Sequence, residues 1–263
     1  MSVAHPTSPA APLRLSVVIP AHNEAGLIRT TLLGMDGALR RAGVPYELVV
    51  VDDASIDGTG ELLDVLAGSL PALRVVHRRP PPGVGRAVRA GLAAMQGDAA
   101  VIVMADGSDR PEDVCTYYRL LSEGYDAVFG SRFVPGGRVA GYPFFKLLVN
   151  RLGNQVIRLL FGRSENDLSN AFKAYRADML RAAGPLEAEH FEIFVELPLK
   201  ALTSGVRVAT VPVAWYGRRA GASKLRLARQ VPRYARVILR LWLSRHALAG
   251  RPRRDPEPLP PPA

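Results

Sequence analysis

Apolar and polar positions alternate along this chain with two periods. Short strand-like runs occur at Leu13–Ile19, Glu47–Val51, Leu73–His77, Ala100–Met104 and Ala127–Phe129. Between them lie stretches with helical spacing. These are Glu24–Arg41, stopped by Gly43; Asp57–Leu66, with Asp57 placed as its N-cap; Val84–Met95, closed by Gly97; and Pro111–Ser122, with proline in its first turn. Strands alternating with helices of about 10–18 residues predict βαβ units and an α/β fold with a mostly parallel central sheet flanked by helices. In such sheets ligands sit outside the carboxyl ends of the strands, where the strand order reverses.

Two later segments are amphipathic. Phe144–Phe161 carries an apolar stripe (Phe145, Leu148, Val149, Leu152, Val156, Leu159, Leu160) opposite Lys146, Asn150, Arg151, Asn154 and Arg158. Such a stripe suits either a core helix or a helix lying on a membrane. From Arg226, arginines recur at 229, 233, 236 and 240, within an arc of roughly 80° at about 100° per residue. Leu227, Val231, Tyr234, Ile238, Leu241 and Trp242 lie opposite. The pattern predicts a basic amphipathic helix over 226–249 on a membrane surface. The alternative packs its apolar face on the preceding domain and leaves the arginines in water. Pro232 lacks a helix donor, so the regular helix is expected from near Val231. Residues 1–12 and 250–263, rich in Ala, Pro and Ser or in Pro, predict disordered tails around a domain at 13–225. No internal repeat is evident.

Charge sharpens this division. The 263 residues hold 34 Lys+Arg and 24 Asp+Glu, a net charge of +10. Residues 1–196 are net −2, residues 197–254 carry 14 basic and no acidic side chains, and the last nine are net −2. One late segment therefore seeks an anionic partner: nucleic acid, a membrane surface or phosphate groups. The lone cysteine, Cys115, excludes a disulfide framework and any multi-cysteine metal site. No apolar run approaches the roughly 18 residues of a spanning helix, and the start lacks a signal-peptide pattern. The expected location is cytoplasmic, with peripheral membrane contact.

The candidate chemistry gathers at strand ends. The first strand runs into Pro20-Ala21-His22-Asn23-Glu24, the second ends in Asp52-Asp53, and the fourth leads to Ala105-Asp106-Gly107-Ser108-Asp109. Carboxylates on one rim suit a metal-bound or ribose-bearing ligand. Each alone is an ordinary helix cap. Gly83-Val84-Gly85-Arg86 resembles half of a dinucleotide fingerprint, but Val88 replaces the third glycine and the run follows the third strand. It reads as a glycine-permitted turn into a helix.

These residues resemble a known family. Val17–Glu24, Val50–Thr59, Gly83–Gly91, the Asp106 motif, Gly130-Ser131-Arg132, Asp167–Lys173 and Arg218–Leu225 look like the family-2 inverting glycosyltransferases of GT-A fold. The last three blocks are similar to the dolichol-phosphate mannosyltransferase branch. The resemblance implies that Pro20, His22, Glu24, Val51 and Asp53 hold the base and ribose of a sugar nucleotide. It also implies that Asp106, with Ala105 and Ser108 beside it, meets a divalent cation (Mg2+ or Mn2+) on the diphosphate. Arg218, Ser223 and Lys224 would form a loop closing over the phosphates. Ser131 and Arg132 would receive the acceptor phosphate, and Asp167 would face the metal or the sugar. Asp106, Asp167, Arg218 and Lys224 are the implied catalytic set. One departure stands out: the family usually shows Asp-x-Asp where this chain has Met104-Ala105-Asp106. Asp109 is a candidate helper for the metal, and equally a candidate cap for the helix at Pro111.

The implied reaction moves a hexose, mannose from GDP-mannose, onto a polyprenyl phosphate at the cytoplasmic membrane face. A separate membrane partner subunit is compatible with it. A UDP-sugar donor or a saccharide acceptor is the alternative. A hydroxyl acceptor needs a general base, whereas a phosphate is already ionised near neutral pH. Hydroxyl-using relatives carry adjacent acids late in the domain. Phe191–Leu197 has none, only Glu192 and Glu196 four apart, which are either solvated or structural. A nucleic-acid partner is disfavoured by the acidic rim and by the lack of a helix-turn-helix or zinc pattern.

Overall fold

The computed structural model describes residues 12–141, 144–216 and 227–248. Seven strands form one sheet in the order β3-β2-β1-β4-β7-β5-β8. They are β1 (Leu15–Ala21), β2 (Tyr46–Asp53), β3 (Leu73–Arg78), β4 (Ala99–Ile102), β5 (Ala127–Ser131), β7 (Lys173–Arg176) and β8 (Val208–Pro212). Only β7 runs antiparallel among them, between β4 and β5. β6 (Arg138–Ala140) and β9 (Ala214–Tyr216) pair separately as a short parallel ribbon.

The first half follows the alternation of the sequence. α1 (Ile28–Arg41), α2 (Thr59–Ala67), α3 (Val84–Ala94) and α4 (Pro111–Ser122) each connect successive strands. Because every β1 and β2 side chain from Leu15 and Glu47 onward is buried, these strands read as unbroken runs, as in a sheet covered on both faces. One face carries the core built on Leu32, Leu39, Leu63, Val114 and Tyr117. The other carries Val88, Phe129, Tyr175, Ile193 and Leu197. The chain goes β1-β2-β3 outward, then returns to place β4 on the other side of β1. The strand order thus reverses between β1 and β4, which locates the crevice.

Several local expectations are corrected. α1 starts at Ile28, not Glu24, because Asn23 adopts a left-handed φ of 52° and the amide nitrogens of Glu24 and Ala25 bond to Thr59 Oγ1 and Asp57 Oδ2. Asp57 does not cap α2. Gly58 holds that position, and Asp57 accepts from Thr59 and Ala25, tying the loops after β1 and β2 together. Gly83 is required by crowding and not by its dihedral angles, since its φ of 178° is open to any residue. A Cβ there would stand 2.5 Å from the Glu189 carbonyl oxygen, and one at Gly85 2.5 Å from that of Ala188.

The C-terminal half adds α5 (Phe144–Phe161), α6 (Ala177–Ala182), α7 (Ile193–Thr203) and α8 (Leu227–Leu248). α5 is not a core helix. It docks by its polar side: Asn154 and Ile157 are buried, and Asn150 and Asn154 bond Ser169. Phe144, Phe145, Leu152 and Leu159 are 59–79% exposed. α8 runs regularly through Pro232, so the expected start near Val231 is corrected. Pro232 is the sixth residue of α8, so its missing N–H removes one intrahelical bond while the helix continues through it. α8 lays Gln230, Val237 and Leu241 against the domain, and Tyr234 Oη donates to the Phe191 carbonyl at 3.1 Å. Arg240 pairs with Glu187 and, at 2.8 Å, with Glu196. Part of the arginine arc therefore meets acids of the domain. The tails at 1–11 and 249–263 lie outside the described residues.

Candidate active site

The strand ends on the crevice side hold two adjacent groups. The first belongs to β1 and β2. Pro20 and Val51 are register partners, His22 Nδ1 lies 2.7 Å from the Asp53 carbonyl oxygen, and Glu24 is buried. Asp53 Oδ2 accepts from the Gly83 amide at 2.6 Å, and Oδ1 pairs with Arg78. Each carboxylate oxygen has two acceptor sites, so Asp53 keeps the capacity to accept a hydroxyl. Ala54 adopts a left-handed φ of 56°, which turns the chain sharply away just after these residues.

The second group lines a cavity of about 870 Å³. Met104, Asp106, Ser108, Asp109 and Arg132 form its polar end. Ala105 is buried beside them, its carbonyl accepting from Thr31 Oγ1 at 3.0 Å. Asp106 Oδ1 accepts from the Ser108 amide at 3.1 Å. Asp109 does not cap α4. Its Oδ2 accepts from the Met104 amide at 2.8 Å, which places a carboxylate at the strand end where Met104 interrupts the acidic motif. Burial above all, with Asp106 nearby, pushes the Asp109 carboxyl up to about 7.

Arg132 and Asp167 form a buried pair, their side chains 6% and 1% exposed. Arg132 Nε and Nη2 donate to Asp167 at 2.8 and 2.7 Å, and the Arg132 amide donates to it at 3.0 Å. Asp167 thus orients Arg132. Ser131 Oγ donates to Asn166 Oδ1 at 2.6 Å, and Ser131 is not among the residues lining the cavity. Asn166, Asn170 and Lys173 carried no role in the sequence reading. For Asn170 and Lys173 the only signal was their place in the Asp167–Lys173 block, and Asn166 lies just before it.

From the polar end the cavity continues between α5 (Val149, Leu152, Val156, Leu160) and α8 (Val231, Ile238, Leu239, Trp242). Glu192 and Glu196 face neither end. Glu196 is fully buried and accepts from the Glu187 and Ala188 amides, while Glu192 accepts from those of Glu189 and His190. They are structural. Arg218, Ser223 and Lys224 lie outside the described residues.

Among the described residues no group of three or more His, Cys, Asp or Glu side chains could hold a metal by protein atoms alone. Asp106 with Ser108 suits the other arrangement, in which Mg2+ keeps several waters and binds through one or two carboxylates plus substrate phosphates.

Residues 16–184 match the family described as Glycosyl transferase family 2. An undecaprenyl-phosphate mannosyltransferase of Micrococcus luteus is 34% identical over 218 residues, covering 81% of this chain and 88% of that protein. A polyprenol monophosphomannose synthase of Mycolicibacterium smegmatis is 33% identical, covering 81% of each. Among solved structures, glucosyl-3-phosphoglycerate synthase from Mycobacterium tuberculosis, with Mn2+, uridine diphosphate and phosphoglyceric acid, matches with a TM-score of 0.64. It is 24% identical over 92% of this chain and 80% of that one, a likeness of fold.

Proposed function

The chain belongs to glycosyl transferase family 2 and has its GT-A fold, and on that premise we propose that it transfers mannose from GDP-mannose to a polyprenyl phosphate. The observation that carries this reading is the cavity with two characters. Its polar end holds Asp106, Ser108 and Arg132, and its apolar run lies between α5 and α8. A phosphate head and a hydrocarbon tail match those two ends. The named activities of the bacterial relatives support mannose as the sugar and a polyprenyl phosphate as the acceptor.

In this reading Pro20, His22, Glu24, Val51 and Asp53 seat the nucleoside, and Asp53 accepts from ribose hydroxyls. Asp106, with Ser108, would hold Mg2+ or Mn2+ against the diphosphate. When bound, such an ion neutralises charge on the leaving group. Arg218, Ser223 and Lys224 are proposed to add donors to the same phosphates. Arg132, aimed by Asp167, receives the acceptor phosphate, with Ser131 beside it. An acceptor oxygen attacks C1 as the nucleoside diphosphate leaves, a single displacement that inverts the centre. The acceptor is ionised near neutral pH, so no side chain has to remove a proton. The structural engagement of Glu192 and Glu196 fits this.

No helix of the described residues is long and apolar enough to cross a membrane. The exposed stripe of α5 supports peripheral contact with a bilayer, at the cytoplasmic face where nucleotide sugars are supplied. The test is a panel of labelled sugar nucleotides offered with polyprenyl phosphate in detergent. Mannolipid from GDP-mannose is expected. A lipid product only from a UDP-sugar would correct the donor, and no lipid product from any donor would refute the proposal.

A further inference from the structure

Lys173 sits on β7, the reversed strand, paired with Ile102 on β4 and Phe129 on β5. It is 1% exposed. Among the described residues its ammonium forms hydrogen bonds only to main-chain carbonyls: Leu168 at 3.0 Å, Asp167 at 3.5 Å and Asn170. All three belong to one loop, and the ammonium also lies 5.5 Å from the centre of the Phe129 ring.

As a packing element this residue is a poor choice. Ile102 and Phe129 belong to an apolar cluster, and a methionine would fill the same space without stripping water from a charge. Burial pushes the Lys173 ammonium down to about 7, against the pull of Asp167. What the ammonium adds is directed donors, and they converge on a loop with a particular task. Asp167 in that loop holds the side chain and the amide of Arg132. Asn170 Nδ2 donates to the Gly130 carbonyl at 2.9 Å, just before Ser131. Ser169 is bonded by Asn154 from the opposite side, through α5. Lys173 supplies the anchor on the sheet side.

We propose that Lys173 is a positioning residue for the acceptor phosphate, acting through the Asp167–Asn170 loop on Arg132. The proposal rests on the reading of Arg132 as the ligand of that phosphate.

The experiment measures KM for polyprenyl phosphate and for GDP-mannose in the full chain, in Lys173→Met, in Arg132→Lys and in the double variant. Lys173→Met removes the donors at similar volume, and Arg132→Lys keeps a cation against Asp167. Lys173→Met is expected to raise the acceptor KM about ten-fold, the scale of one lost charge-assisted hydrogen bond. The donor KM should stay unchanged, and in the Arg132→Lys background the second change should add little. If Arg132→Lys raises the acceptor KM and Lys173→Met does not, the proposal is overturned while the functional reading stands. An Arg132→Lys variant with unaltered acceptor KM removes the premise, and the proposal with it. Equal losses for donor and acceptor after Lys173→Met would make the residue a general structural support, which also overturns it. Where Lys173→Met does not accumulate, Lys173→Gln, which keeps part of the donor set, takes its place. Failure of both to fold overturns the proposal.

Discussion

Replacing Arg132 by methionine removes the cation from a carboxylate that is 1% exposed. Among the described residues, Asp167 then keeps only the main-chain amide of position 132 as a hydrogen-bond donor, after losing donors at 2.8 and 2.7 Å. Stranding one member of a buried pair costs about 3–5 kcal/mol, against a total stability of roughly 5–15 kcal/mol for a domain. At this chain length the loss corresponds to a fall in Tm of roughly 6–20 °C. The partner change, Arg132→Met with Asp167→Leu, removes both charges and should recover much of the loss. It leaves the Arg132 amide without its acceptor, a residual deficit of about 1–3 kcal/mol. Urea unfolding of the wild type, both single variants and the double variant, followed by circular dichroism, measures the cycle. A cost below about 1 kcal/mol for Arg132→Met is the range of solvated pairs and would refute the claim that water is excluded from this ion pair.

Phe145→Glu with Leu159→Glu, both on α5, exposed and outside the cavity lining, should leave Tm near the wild-type value and abolish co-sedimentation with anionic vesicles. Unchanged sedimentation would separate this stripe from membrane contact. His77 is raised above its ordinary value by hydrogen bonds to Asp52 first and Asp64 next. Its contribution to stability is therefore complete below about pH 6.5 and is lost as pH rises through the higher folded value. His77→Gln should flatten the stability profile in that window, and an identical slope in both proteins would count against the assignment. Ala54→Gly relieves a left-handed φ of 56° and should stabilise the fold by up to about 1 kcal/mol, read from the urea midpoint. A lower midpoint would show that the Ala54 methyl makes compensating contacts.

The two halves of the chain differed in legibility for physical reasons. β1 to β5 and α1 to α4 are written in period and in stop signals, because each strand carries a short apolar run and each helix has one buried side. β7 is Lys173-Ala174-Tyr175-Arg176 and has neither an apolar run nor a clean alternation. It is held by pairing on both edges and by an ammonium bonded to carbonyls. α7 contains Pro198, and β6 and β9 span three residues each, too short for any period. At the site, the rim residues were legible because strand ends are. The Arg132–Asp167 pair, 35 residues apart, and the turn of Asp109 toward Met104 are tertiary facts with no local signature. The stripe on α5 was visible, but a stripe does not say which way it faces. That was settled by Asn150 and Asn154, whose amides need the partners that Ser169 offers.

That inverted docking of α5 bears on how the enzyme would be measured. Under the proposed function, the apolar side of α5 would rest in a bilayer with the mouth of the acceptor groove along the same helix, and the protein would meet the lipid by lateral diffusion in two dimensions. Its velocity would then follow the mole fraction of polyprenyl phosphate in the surface, not the molarity in the tube. Adding inert phospholipid at constant acceptor would slow the reaction by surface dilution, although every bulk concentration of substrate stayed the same.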